Sequence, residues 1–461
     1  MKTSQKSIYI SAAHKSSGKT IISIGLARVI SNLNYNIQVF KKGPDYIDMN
    51  WLSLASRSNC YNLDFNTQTK NEIKGFYESK KLNFNLIEGN KGLYDGVNVH
   101  GKDDNSAMSI LLKVPVILVI DTEGITRGIA PLLQGYINFE KKCNIVGVIL
   151  NKVKTERHET KLINSVKQYT DLQILGVIRK TKELEITERH LGLIPPNENL
   201  IAEKKIETIS KIILDSIDKK AFAKIGISLK EKNISINKRN DSKEKIISRV
   251  KVGIIRDKSF GFYYHDDIEM FSQYGAELIN INSTKTKQLP KIDALFIGGG
   301  FPEINAEKIS KNKNLMKSIN NFIKSGGVCY AECGGLMYLS NSIKYKNKSY
   351  KMVGTIPGNI QMSKKPVGRG YVKLLINKSH PWKLKSNAAV NAHEFHHASI
   401  NFKSNIKFKY AYNMKRGFGI NGSNDGFQYK NLLANFSHLR HTKKNPWIKH
   451  FINFIKEKKN D

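Results

Sequence analysis

The sequence predicts an α/β protein of two domains, each built on a largely parallel sheet with helices packed against it. Three observations predict this. Short unbroken apolar runs alternate with helical patterns through the first half, as strands buried on both faces require. A charged stretch at 229–249, almost without core residues, reads as a linker. A second α/β series then begins at residue 250 and runs to Asp461. The expected domains are therefore 1–228 and 250–461, and 461 residues suffice for two or three separate cores.

In order along the chain, SIYIS (7–11) reads as a strand, followed by a helix with Ile22, Leu26, Val29, Ile30 and Leu33 on one face. Between them, AAHKSSGKT (12–20) occupies the place of a phosphate-binding loop, whose N–H groups and helix dipole cradle phosphate oxygens. Gly18, Lys19 and Thr20 carry that signal: Lys19 for the outer phosphates, and the Thr20 hydroxyl for Mg²⁺. Ala13 stands where a strict loop has glycine. The runs 36–40, 84–89, 114–121 and 145–153 are further strands. KKGPDYID (41–48) and IEGNKGLYDG (87–96) place Asp45, Asp48, Glu88 and Asp95 just beyond strand ends, where open α/β sheets bind ligands. Each acid alone could equally cap a turn. Together beside the GKT they nominate Thr20, Asp45 and Glu88 as metal ligands and Asp48 and Asp95 for the phosphoryl-transfer region.

In the second half, VKVGIIRD (250–257) and ALFIGGGFPE (294–303) are strands with their following loops. GVCYAECGGLMYL (327–339) predicts a strand, a sharp turn and a helix, with Cys333 at the turn. A helix N-terminus there is expected to favour the thiolate, and Gly334 and Gly335 to permit close approach. Histidines that could serve the thiol lie in NAHEFHHAS (391–399) and ANFSHLRH (434–441). The three-residue spacing of His393 and His396 does not fit the helical zinc motif.

Composition excludes several classes. Cys60, Cys143, Cys329 and Cys333 have no paired spacing of a disulfide framework or zinc site, which suits a reducing cytoplasm. The N-terminus lacks the apolar core of a signal peptide, and no apolar run approaches a membrane span. The net charge of +36 comes from lysines spread through every segment, without a basic patch interleaved with aromatics. It reads as a solvated surface that attracts small polyanions, not as a nucleic-acid groove.

GPDYID, IEGNKGLYDG, VILVIDTEGITRGIAPLLQGY (116–136), GVILNKV (147–153) and ERHLGLIPPNE (188–198), in that order, resemble the cobyrinic acid a,c-diamide synthase family. The resemblance covers nearly the whole chain. It implies an N-terminal ATP-dependent amidoligase domain similar to dethiobiotin synthetase and a C-terminal class I-like glutamine amidotransferase domain. It further implies Cys333 as nucleophile, His438 as its partner, Gly299 and Gly300 in an oxyanion hole, and ATP, Mg²⁺, glutamine and a corrinoid polycarboxylate as substrates and cofactor. The expected reaction is a step of cobalamin biosynthesis in the cytoplasm, without nucleic acid or membrane, and a homodimer is compatible with it. Hydrogenobyrinic acid and nickel-sirohydrochlorin are alternative substrates, and a regulatory P-loop ATPase is the alternative of another class. Many triad amidotransferases carry a glutamate two residues after the histidine. Here that position is Arg440, which leaves the orienting group for the imidazole unassigned.

Overall fold

A computed structural model describes residues 6–189, 192–196, 201–230, 250–402 and 408–460. Most of the expected linker, 231–249, lies outside the described residues, as do parts of the 188–198 motif. The chain forms two compact units, Met1–Asp241 and Ser242–Asp461.

The first unit runs β1 (Lys6–Ala12), α1 (Lys19–Asn32), β2 (Ile37–Lys42), α2 (Ile47–Ser56), β3 (Cys60–Leu63), α3 (Lys70–Lys80), β4 (Phe84–Glu88), α4 (Asn105–Leu112), β5 (Val116–Asp121), α5 (Ile129–Phe139), β6 (Ile145–Val153), α6 (Glu156–Tyr169) and β7 (Gln173–Arg179). A short hairpin of β8 (Glu188–Arg189) and β9 (Gly192–Leu193) leads to α7 (Ala202–Ser216) and α8 (Lys219–Lys224). The seven main strands pair in parallel in the order β3-β2-β4-β1-β5-β6-β7. Because helices cover both faces, central strands such as β2 and β4 are buried along their whole length. Register then fixes chemistry: Glu88 of β4 lies beside Ile10 of β1 on one side and Lys41 of β2 on the other. The buried Arg28 of α1 pins the helical layer, donating to the Ala55 and Leu54 carbonyls and pairing with Glu203 and Glu207 of α7.

The second unit opens with β10 (Val250–Ile255), α9 (His265–Gln273), β11 (Ala276–Ile281), β12 (Ala294–Ile297), α10 (Ala306–Lys311), α11 (Lys313–Lys324), β13 (Val328–Glu332) and α12 (Gly334–Leu339). There follow β14 (Ser340–Tyr345), β15 (Lys348–Lys351), β16 (Ile356–Met362), β17 (Gly368–Ile376), β18 (Ala389–His396), β19 (Ala398–Phe402), β20 (Lys409–Arg416), β21 (Asn424–Tyr429), β22 (Leu432–Asn435) and α13 (Trp447–Asn460). The large sheet has the order β11-β10-β12-β13-β22-β21-β20-β17-β18, parallel from β11 to β22 and antiparallel beyond. A smaller sheet, β15-β14-β16-β19, adds to it. Strand β13 alternates as a doubly covered strand should: Cys329 and Ala331 enter one core, Val328 and Tyr330 the other. Neighbouring parallel strands β12, β13 and β22 therefore end side by side, and their following loops gather at one edge.

Candidate active site

In the first unit the loop after β1 turns through Gly18, whose φ of 90° suits glycine. A Cβ there would stand 2.2 Å from Asn151 Nδ2, which donates to the Ser17 carbonyl at 2.8 Å. Tyr136 donates its hydroxyl to the Ala13 carbonyl, fixing the start of the same loop. Thr20 at the start of α1 donates to Glu88 Oε1 at 2.6 Å and reaches Asp48 Oδ2 at 3.3 Å. Lys41, 1% exposed, joins them: its Nζ lies 2.7 Å from Asp48 Oδ2 and 2.9 Å from Glu88 Oε1.

Burial alone would depress the Lys41 ammonium, but Asp48, Glu88 and Asp45 hold its pKa well above the ordinary value. Burial likewise opposes ionisation of Asp48, yet Lys41 keeps that carboxyl below its usual range. Lys19 is held down by burial and by the charge of Lys41. Asp45 accepts from the Asp48 backbone N–H at 2.9 Å, and burial followed by the Asp48 charge lifts it to about 7. Thus the acids meeting Thr20 directly are Asp48 and Glu88, with Asp45 one contact away. Asp95 stands apart from this knot. It accepts from Gly92 N–H at 3.0 Å, and a Cβ on Gly92 would lie 2.5 Å from the Ala13 carbonyl oxygen.

Among the described residues no group of three or more His, Cys, Asp or Glu side chains could hold a metal by itself. Mg²⁺ in nucleotide sites needs less: one or two carboxylates with substrate oxygens. The donor set here is all oxygen, and Glu88 Oε2 is buried without a hydrogen-bond partner. That is an acceptor a hard cation satisfies, so Thr20, Asp48 and Glu88 fit the ion.

In the second unit Cys333 follows β13 with φ 46° and ψ −102°, a conformation costing about 1–3 kcal/mol for a non-glycine residue. Two glycines follow it: a Cβ on Gly335 would lie 2.3 Å from the Ile297 carbonyl oxygen, which requires glycine there, and one on Gly334 would be tight, 3.0 Å from Gly300 N. The sharp turn is as expected, but the expected lowering of the thiol pKa is not found. Helix α12 has only six residues, and burial, reinforced by Glu303, outweighs the Gly334 N–H and pushes the thiol up. Cys333 rests as a thiol and needs a base.

His438, three residues beyond β22, supplies an imidazole on the same edge. A Cβ on Gly299 would lie 2.5 Å from His438 Cε1, so the glycine loop after β12 abuts the ring. Gly300 adopts φ 151° against the Ser259 carbonyl. The backbone around His438 is anchored by acids: Asp425 accepts from Phe436 and Ser437 N–H, each at 2.9 Å, and Glu332 from Leu439 N–H at 2.9 Å. Glu332 Oε2 also lies 3.3 Å from His438 Nδ1. Arg440 turns instead to Asp266 at 2.9 Å. The HEFHH stretch ends β18, where His393 bridges to His438 through backbone hydrogen bonds.

Lys41, Asn151 and Glu332 are not among the residues the sequence nominates for these sites, and His393, one of the candidate histidines, is placed against His438 instead of being the predicted partner of the thiol. Glu332 carried a signal, a charged residue closing the apolar strand VCYAE next to the nucleophile candidate. Lys41 carried one too, inside KKGPDYID. The contacts of Asn151 and His393 depend on tertiary pairing alone.

A parallel sheet with a glycine–lysine–threonine loop after its first strand, and in the same chain a second sheet whose adjacent strands β13 and β22 are followed by a strained cysteine and a histidine, define a nucleotide-binding unit and an amidotransferase-like unit. Residues 9–194 match the CobQ/CobB/MinD/ParA nucleotide binding domain, and residues 251–446 match the CobB/CobQ-like glutamine amidotransferase domain. The chain is 35% identical to a cobyrinate a,c-diamide synthase of Magnetococcus marinus, over 98% of this chain and 97% of that one. It is 35% identical to the protein of the same name from Archaeoglobus fulgidus, over 98% of each chain. With the one from Picrophilus torridus it shares 37% identity over 94% of this chain and 95% of that one. The chain belongs to the cobyrinate a,c-diamide synthase family. Among the described residues no helix is long and apolar enough to cross a membrane.

Proposed function

We propose that this protein amidates the a and c acetate side chains of cobyrinate, using ATP to activate each carboxylate and glutamine as nitrogen source. One observation carries the reading beyond family membership. Three adjacent parallel strands, β12, β13 and β22, deliver a glycine loop, Cys333 and His438 to one edge, in a chain whose other unit bears the GKT loop.

In the ATP-binding domain (1–228) of the first unit, Lys19 and the N–H groups around Gly18 hold the triphosphate, and a substrate carboxylate attacks the γ-phosphorus to give an acyl phosphate and ADP. Positioning and charge neutralisation carry that step. Lys41 keeps Asp48 ionised, and Asp95 steadies the loop facing Ala13. Thr20, Asp48 and Glu88, with Asp45 behind them, would hold Mg²⁺, which would neutralise phosphate charge there.

In the amidotransferase domain (250–461) of the second unit, the Cys333 thiol gives its proton to His438 as sulfur attacks the side-chain amide carbon of glutamine. Gly299 and Gly300 offer N–H groups to the developing oxyanion. His438 passes the proton to nitrogen, the C–N bond breaks, and ammonia leaves. Water cleaves the thioester to glutamate, and ammonia displaces phosphate from the acyl phosphate. The net charge of +36 favours capture of a polyanionic substrate. The cytoplasm, with its supply of ATP and glutamine, is the compartment this chemistry requires.

The test is mass spectrometry of cobyrinic acid incubated with enzyme, ATP, Mg²⁺ and glutamine, with hydrogenobyrinic acid and nickel-sirohydrochlorin as parallel substrates. Two new amide groups on cobyrinic acid are expected. No amide on cobyrinic acid, or faster diamidation of another tetrapyrrole, rejects the assignment.

A further inference from the structure

The imidazole of a cysteine–histidine pair must present one nitrogen to sulfur and keep a proton on the other, so a group on Nδ1 decides whether the ring is poised. Arg440, two residues beyond His438, cannot accept a proton from it and is engaged with Asp266. We propose that Glu332, the residue immediately before Cys333, is the positioning carboxylate for His438. This rests on the reading of Cys333 and His438 as the glutamine-cleaving pair.

Four observations support it. Glu332 Oε2 is 3.3 Å from His438 Nδ1, and both side chains are almost wholly buried. The other oxygen, Oε1, accepts from the Leu439 N–H at 2.9 Å and the Tyr330 hydroxyl at 2.5 Å, so the carboxylate is held by both elements it links. Asn435 in turn donates to the Tyr330 hydroxyl at 3.1 Å, closing a network between β13 and β22. Strand geometry explains the placement: Tyr330 and Glu332 share one face of β13, and Glu332 stands in register with Asn435, three residues before His438. A glutamate next to the nucleophile thus reaches the histidine across a strand pair, doing what a residue two positions after the histidine does elsewhere. With Oε1 occupied, Oε2 is placed to accept a hydrogen bond from the Nδ1–H, which leaves Nε2 as the base and stabilises the imidazolium formed when the thiol ionises.

Glu332→Gln separates this role from packing, because an amide oxygen still accepts from Leu439 and Tyr330 but carries no charge. The measurement is glutamine hydrolysis beside ammonia-driven ligation, with Cys333→Ala as reference. Glu332→Gln is expected to lower kcat for glutamine roughly 10²-fold with KM and ammonia-driven ligation little changed. It should also slow alkylation of Cys333 by iodoacetamide. Wild-type kcat in Glu332→Gln, with Cys333→Ala inactive on glutamine, overturns the inference alone. Glutamine hydrolysis surviving in Cys333→Ala overturns the assignment of the pair itself. Should Glu332→Gln lose ammonia-driven ligation too, Glu332→Asp decides the matter, since it keeps the charge but withdraws it by one methylene. Reduced kcat at unchanged KM there supports the proposal, and wild-type kcat refutes it.

Discussion

The imidazoles of His393 and His438 lie face to face, centroids 4.9 Å apart and 14° from parallel, while their backbones exchange hydrogen bonds at 2.7 and 3.4 Å. Burial, then the charges of His438 and Arg440, hold His393 well below its ordinary pKa, so it stays neutral. A neutral ring fixes the plane of His438 without opposing a positive charge on it. His393→Phe should therefore keep most glutamine hydrolysis. His393→Ala, which lets the ring tilt, should lose roughly 10²-fold in kcat. Equal rates for wild type and His393→Ala would show that the stack does not orient His438.

The two units divide the chemistry, and nitrogen source exposes the division. Cys333→Ala should abolish glutamine-dependent ligation and retain ligation with added ammonia. Lys19→Ala should stop ligation with both. Normal ammonia-driven turnover in Lys19→Ala would disprove its phosphate role, and loss of both activities in correctly folded Cys333→Ala would disprove that of the cysteine.

Gly299 has its own signature. Its Cβ position lies 2.5 Å from His438 Cε1 and 3.3 Å from Phe262 Cβ, so alanine must displace the imidazole. Gly299→Ala should reduce glutamine hydrolysis roughly 10²-fold, the scale of a misplacement of about 1 Å, while ammonia-driven ligation persists. Unchanged hydrolysis would show that the loop yields and that the contact is not constraining.

The parallel strands were legible because each is a short apolar run closed by turn residues, as in 7–11, 84–89 and 145–153. The antiparallel half was not, since β18 and β20 bury two or three successive residues and β17, β18 and β20 break their apolar residues with exposed Arg369, Lys373, Asn391 and Asn413, giving only weak alternation. The strand-to-helix turns that carry Gly18, Lys19, Thr20 and Cys333 were legible because such turns restrict which residues can occupy them. Glu332 and Lys41 were not, because what they touch is set by strand register. The thiolate expectation failed because it counted a helix end and omitted burial.

Acid should weaken the second unit through its buried histidines. Burial, then His450, holds His380 down to about 3, and His393 is also far below the ordinary 6.5. His380 Nδ1 accepts from the Trp382 N–H at 3.1 Å, so protonation there would break a hydrogen bond. Both groups have folded pKa values below their unfolded values. The unfolded chain therefore binds more protons below pH 6.5, and stability is complete above that pH and falls beneath it. The slope each contributes grows from about 0.7 kcal/mol per pH unit at 6.5 to about 1.4 near pH 5. Urea unfolding of the second unit across that range should show this slope, and His380→Gln should lessen it by one histidine's share. An unaltered slope would mean that His380 does not titrate on unfolding.

Lys41 offers the sharpest test of the nucleotide site. Its ammonium is the cation lying between Asp48 and Glu88, on a side chain only 2% exposed. Lys41→Met keeps the length and apolar stem but leaves two buried carboxylates facing each other. Breaking a buried pair in this way costs about 3–5 kcal/mol, because the remaining charges lose their compensation. Hydrogen exchange of the β2 and β4 amides should report that loss in the first unit while the second is unaffected. Mg²⁺ without nucleotide should restore part of it, since an ion bound only by the folded state stabilises that state by mass action. Protection equal to wild type, with no response to Mg²⁺, would mean that Asp48 is protonated in the resting protein and that Lys41 is not what keeps it charged, burial already lifting the Glu88 carboxyl above its ordinary range.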